Sequence, residues 1–301
     1  MTQSESQVHI PVLLEEVLRV LEPSPGGRFL DLTLGAGGHA GAILQRIGPV
    51  GLLVGLDRDR QILEVARARL HSPNVRCIHG SFGDLEALRA ALPTEQFDGM
   101  LLDLGVSSLQ LDECERGFSF RRSGPLDMRM DPSHGPSARD LVRDATIEQL
   151  ATWIKDFGEE RHALRVARAI AVERSRAEIT TTGELAEVVR RAVPKSRTGI
   201  DAATRTFQAL RIAVNGELDA LDRFLARFDP WLAPGGRIAI LSYHSLEDRR
   251  VKLAFRQRVK EGDYEPMTEG SVRPTADEVR ANPRARSAKL RALRRREAVD
   301  R

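Results

Sequence analysis

The chain is poor in cysteine: there are two in 301 residues, Cys77 and Cys114, and neither sits in a C-x-x-C pair. That excludes a disulfide framework and leaves free thiols, as expected of a reducing cytoplasm. The seven histidines are scattered and offer no zinc spacing, so no metal is expected. No apolar run approaches the length of a membrane span, and MTQSESQVHI lacks the apolar core of a signal peptide. Neither a membrane nor export is therefore expected. No G-x-S-x-G elbow is present, which removes the hydrolase reading of Ser242, Tyr243 and His244. Net charge is small, +3, but it is uneven: Arg284 to Arg301 holds eight basic residues against Glu297 and Asp300. A basic tail attracts polyanions such as RNA, although 41 arginines against 5 lysines also read as a genome-wide codon bias.

What is present is organised around Arg28 to Gly41, RFLDLTLGAGGHAG. An apolar run ends at Asp31, a glycine-rich turn follows, and Ala40, Ile43, Leu44 and Ile47 then recur at helical spacing. The stretch reads as strand, turn, helix. Gly35 to Ala40 fits G-x-G-x-x-G/A, the dinucleotide fingerprint. A second strand, Gly51 to Leu56, ends at Asp57, where a carboxylate at the tip of the neighbouring strand can accept hydrogen bonds from ribose hydroxyls. Asp31 lies under the turn. There it would repel a pyrophosphate but attract an ammonium group, which favours S-adenosyl-L-methionine over a dinucleotide.

Further strands are read at Val75–His79, Phe97–Leu104 and Arg237–Leu241, with helices between the early ones. This alternation implies parallel strands in a doubly wound α/β sheet with ligands at the carboxyl ends. Asp31, Asp57, Phe82 and Asp103 all fall at those ends. The alternation breaks at Gly117–Arg139, which is rich in Gly, Pro, Ser and Arg. Capping boxes at Thr146–Gln149 and Thr181–Glu184 then open helical stretches. Residues 135–200 therefore read as an inserted all-α domain, with hinges near Gly117–Arg139 and Pro194–Gly199. Residues 1–134 and 201–301 form the Rossmann-like, cofactor-binding domain. One helix is expected over Thr204–Phe228, a turn at Pro234-Gly235-Gly236, and an edge strand at Ala288–Leu293.

Four strings are more specific: LLDLGVSSLQLDECERGFSFRRSGPLDMRMDP from Leu101, ATRTFQALRIAVNGEL from Ala203, LAPGGRIAILSYHSLEDR from Leu232 and NPRARSAKLR from Asn282. Together they resemble the bacterial 16S rRNA cytosine-N4 methyltransferases (the RsmH or MraW family) over nearly the whole chain. The resemblance implies a class I S-adenosylmethionine-dependent methyltransferase. Its acceptor would be the exocyclic amine of a P-site cytosine in 16S rRNA, within the small ribosomal subunit. It carries cofactor contacts over to Gly37, Gly38, His39, Asp57, Phe82, Asp103 and Gln110, with Asp103 and His244 as candidate catalytic groups. Two departures from the broader methyltransferase pattern stand out. Thr33 replaces the first loop glycine, and Asp103-Leu104-Gly105-Val106 replaces the usual D/N/S-P-P-Y/F string.

Plainer roles remain open for each residue at this point. Phe82 can be a core aromatic, His39 a solvated early-helix residue, and Asp103 a loop cap. Ser242, Tyr243 and His244 can line the acceptor pocket, or Tyr243 can pack against the insert. Two other function classes share parts of the pattern. A nicotinamide-dependent oxidoreductase fits the glycines and conflicts with Asp31, and a non-catalytic RNA-binding protein fits the basic tail.

Overall fold

The computed structural model describes residues 11–93, 95–194, 199 and 201–297. The N-terminal MTQSESQVHI, the end of the basic tail, and residues 195–198 of the second expected hinge lie outside them. Two compact units divide the chain after Gly105 and after Leu218.

The first unit opens with α1 (Leu14–Leu21), β1 (Arg28–Asp31), α2 (Gly38–Ile47), β2 (Leu52–Asp57) and α3 (Arg60–Leu70). It continues through β3 (Val75–His79), α4 (Leu85–Ala91) and β4 (Phe97–Asp103). The second unit contains α5 (Ser108–Asp112), α6 (Ala138–Asp144), α7 (Ile147–Asp156), α8 (Ala163–Arg174), α9 (Thr182–Ala192) and α10 (Ala203–Asn215). The chain returns through α11 (Glu217–Arg227) to β5 (Leu232–Ser242), α12 (Ser245–Glu261), β6 (Tyr264–Pro266), α13 (Ala276–Ala281) and β7 (Lys289–Arg295).

In the first unit the strands run β3-β2-β1-β4-β5-β7-β6. Neighbours from β3 to β5 are parallel, while β7 is antiparallel to β5 and β6 antiparallel to β7. Side chains alternate across the strands, so each strand feeds two apolar layers. Phe29, Leu53, Leu101 and Leu241 meet α1, α2 and α3 through Val17, Ile43 and Leu63. On the other face Leu30, Val54, Leu102 and Ile240 meet α4, α11 and α12 through Leu88, Leu221 and Val251. Parallel strands covered on both faces make the doubly wound sheet expected from the alternation.

The second unit is helical and has its own apolar core, including Leu150, Val166, Ile170, Leu185 and Val189. Its span is wider than 135–200. Leu126 and Met128, inside the stretch expected to hinge, are buried in that core together with Ala203, Phe207 and Leu210 of α10. The capping boxes at Thr146 and Thr181 form as read, each threonine accepting the N–H three residues on.

Other expectations need correction. The helix expected over Thr204–Phe228 is two helices, because Gly216 takes a left-handed conformation (φ 58°) that terminates α10. Pro234-Gly235-Gly236 is not a separate turn; it lies within β5, where the register against β4 shifts. β7 is not the edge strand, because β6 covers its outer side. The basic tail is consequently part of the sheet. Lys289 Nζ and Arg291 Nε donate to the Asp248 carboxylate at 2.8 and 2.7 Å, and Arg295 Nη1 donates to the Asp229 carbonyl at 3.1 Å. Much of the tail's charge is engaged in holding the strand.

Candidate cofactor and acceptor site

The carboxyl ends of β1, β2 and β4 place three aspartates on one edge of the sheet, next to the point where the strand order reverses. Open α/β sheets bind ligands there. Asp31 is the deepest, with 2% of its surface exposed. Its Oδ1 accepts the Thr33 N–H at 3.1 Å, and no cationic side chain among the described residues pairs with it. Burial, together with the charges of Asp103 and Asp57, pushes its pKa up to about 7.

Asp57 closes the glycine turn from the neighbouring strand. Its Oδ2 accepts the Gly35 N–H at 2.8 Å and its Oδ1 the Asp59 N–H at 2.9 Å. Burial raises its pKa against the opposing effect of these two hydrogen bonds. Asp59, which the motif reading passed over, is buried and caps α3 through the Gln61 and Ile62 N–H groups. At the tip of the turn Gly37 is left-handed (φ 78°) and stands at the N-cap of α2 without a side-chain cap. A Cβ there would come within 3.1 Å of Leu70, and one on Gly38 within 2.8 Å of Pro11. Both glycines thus permit close packing within the protein as well as backbone approach to a ligand.

Asp103 gathers three contacts at the end of β4. Its Oδ1 accepts the Tyr243 hydroxyl at 2.7 Å, its Oδ2 lies 3.5 Å from His39 Nδ1, and its backbone N–H donates to Thr33 Oγ1 at 2.6 Å. Thr33, which departs from the usual loop glycine, thereby ties the turn to β4. His39 is buried rather than solvated, and its Nε2 donates to the Val12 carbonyl at 3.0 Å. A carbonyl can only accept, so Nε2 is a donor, and the ring turns its Nδ1 toward Asp103. Burial, and then the Asp103 charge, drives the Tyr243 pKa well above the ordinary tyrosine value, so its hydroxyl stays a donor. The Asp103–Tyr243 pair was not read from sequence. Its available signal was the position of both residues at the carboxyl ends of adjacent strands.

The remaining candidates lie elsewhere or do other work. His244 caps α12, its Nδ1 facing the Glu247 N–H at 3.4 Å and its Nε2 lying 3.1 Å from Glu247 Oε1. Glu247 Oε2 accepts the Tyr243 N–H at 2.8 Å and so orients the residue that bonds Asp103. Phe82 follows β3, half-buried, and packs edge-on against Phe224 with ring centroids 5.9 Å apart. Gln110 belongs to the second unit, where its Oε1 accepts the Ser107 N–H at 2.9 Å in the capping box of α5.

This donor set fits S-adenosylmethionine in chemical character. It offers acceptors and negative charge at the sheet edge, with a buried carboxylate that has no cationic partner among the described residues. Replacing Asp57 by Ala should weaken S-adenosylhomocysteine binding about ten- to a hundred-fold, since hydrogen bonds to a charged acceptor contribute roughly 1.5–3 kcal/mol. Calorimetric titration checks this, and unchanged affinity in a folded variant would remove Asp57 from the site.

The chain matches the MraW methylase family over residues 6–296. It is 50% identical over 290 residues to the ribosomal RNA small subunit methyltransferase H of Sorangium cellulosum, covering 95% of this chain and 90% of that one. The protein of the same name from Syntrophotalea carbinolica is 48% identical over 306 residues, covering 95% of this chain and 98% of its own. A third, from a Cyanothece species, is 46% identical over 295 residues and covers 97% and 96%.

Proposed function

The chain belongs to the MraW methylase family, and on that premise we propose that it methylates the N4 amine of one cytosine in 16S rRNA, within the small ribosomal subunit. The methyl donor is S-adenosylmethionine. The observation that carries this reading is the edge of three aspartates in a chain whose small-subunit rRNA methyltransferase relatives align over almost its entire length. A nicotinamide oxidoreductase is disfavoured, because Asp31 places negative charge where a pyrophosphate would lie.

When bound, the cofactor supplies an electrophilic methyl group on a sulfonium. Asp31 would hold the ammonium group, and Asp57 the ribose hydroxyls. The cytosine amine is a weak nucleophile, because its lone pair is delocalised into the ring. The protein must therefore orient that amine and accept its N–H hydrogen bonds as it rehybridises. Asp103 is positioned for this work, its carboxylate fixed on one side by the Tyr243 hydroxyl. It can take the amine proton, and His39 Nδ1 lies 3.5 Å from it. Reaching such a site requires the base to leave its stack. We assign the helical unit to the substrate side, and place the enzyme in the cytoplasm with its ribosomal substrate.

Small-subunit rRNA from cells lacking this chain should lose N4-methylcytosine at one position. Re-expression should restore it, as nucleoside mass spectrometry can read. An unchanged modification pattern in the deletion would refute the reading.

A further inference from the structure

Part of the tail's charge is engaged in the sheet, and a separate set of cations lies elsewhere in the first unit. The solvent face of α12 supplies them. The helix buries Val251 and Phe255 against the sheet. At 3.6 residues per turn, Arg249, Lys252, Arg256 and Lys260 share the outward side. Lys252, Arg256 and Lys260 have no carboxylate partner among the described residues. The arginines flanking the buried side are different, since Arg250 pairs with Asp222 at 3.0 Å and Arg258 with Asp229 at 2.7 Å. Amid the outward cations stands Leu253, 57% exposed, with Gln257 one turn further on.

We propose that this face of α12 is a binding track for the backbone of an RNA strand. The cations at positions 252, 256 and 260 recur every four residues, a rise of about 6 Å, on the order of the spacing of successive phosphates. Leu253 offers an apolar contact to the bases, while the Gln257 Nε2 donates to Glu261 Oε1 at 2.8 Å and leaves its amide oxygen as the group it can offer. α12 starts at its His244 cap, directly after Tyr243, whose hydroxyl holds Asp103. The track therefore leads away from the acceptor side, its free cations lying about 12 to 24 Å along the helix from His244. The inference rests on the rRNA reading for the identity of the strand, while the surface itself is tested by binding alone.

The test is the triple variant Lys252→Gln, Arg256→Gln, Lys260→Gln, assayed for binding to a small-subunit rRNA fragment over a range of salt. Three lost phosphate contacts should flatten the slope of log affinity against log salt by about 2. Affinity near physiological salt should fall about ten-fold or more, while melting temperature and S-adenosylhomocysteine affinity stay unchanged. The charge-preserving triple Lys252→Arg, Arg256→Lys, Lys260→Arg should bind like the parent. Should the triple Gln variant prove unstable, Arg256→Gln alone should flatten the slope by about 0.7. An unchanged slope in a folded variant, or a parent chain that does not bind RNA, overturns the proposal. Loss of slope in a chain that transfers no methyl group would keep the track and defeat the reaction reading.

Discussion

Replacing Asp31 by Asn should make the protein more stable above neutral pH and nearly inactive at once. The carboxyl is buried, has no cationic partner among the described residues and has its pKa pushed up to about 7. The ordinary value is 3.8, so the folded state binds a proton more tightly than the unfolded chain between those two pH values. Stability must then fall as pH rises from about 4 to about 7 and stay lowered above that. A rise from 3.8 to about 7 corresponds to a cost on the order of 4 kcal/mol. The asparagine keeps an acceptor for the Thr33 N–H but removes the charge, so its melting temperature should rise by several degrees at pH 8 and little at pH 4. Affinity for S-adenosylhomocysteine should move the other way. Losing a buried ionic contact to the ammonium costs about 2–4 kcal/mol, or roughly thirty- to a thousand-fold in Kd. In the parent, affinity should also tighten from pH 6 to pH 8 as Asp31 ionises, and that dependence should vanish in the variant. A variant less stable at pH 8, with cofactor affinity intact, would show that Asp31 serves the fold and not the site.

The second large effect concerns Asp103. Asp103→Asn preserves shape but replaces the charged acceptor, and it also places an amide beside the Tyr243 hydroxyl and His39 Nδ1. Turnover should drop about a hundred-fold, the scale of a lost proton acceptor, while RNA affinity changes by less than about three-fold. Tyr243→Phe removes one hydrogen bond to the carboxylate and should cost about ten-fold in turnover. Since Tyr243 acts through Asp103, the double variant should be no worse than Asp103→Asn alone. Full additivity would place the two residues in separate roles, and equal losses in RNA affinity and turnover would make Asp103 a binding residue.

The sheet and its edge of aspartates were legible because parallel strands announce themselves as short apolar runs, and Asp31, Asp57 and Asp103 terminate three of them. Phe82 was likewise placed at a strand exit by the same rhythm, although its ring rests on Phe224. The contacts around Asp103 were not legible. The Tyr243–Asp103 bond joins residues 140 positions apart, and no periodicity encodes a partner at that distance. His39 could be read only as a cofactor contact implied by the resemblance or as a solvated early-helix residue, because its two neighbours, Val12 and Asp103, come from different elements. The tail misled for a related reason. Charge counts register Lys289 and Arg291 but not the Asp248 carboxylate that engages both. The insert's limits were set too narrowly, since loop-like composition at Leu126–Met128 conceals residues its core buries.

The most direct test of the whole account is one methyl-transfer assay. Purified protein is incubated with labelled S-adenosylmethionine and small ribosomal subunits that lack the modification, and the rRNA is then digested to nucleosides for mass analysis. The account predicts label in N4-methylcytosine at a single site, decreasing as salt rises and absent with Asp103→Asn under the same brief incubation. Label on ring carbon five, on ribose, or only on protein would contradict it.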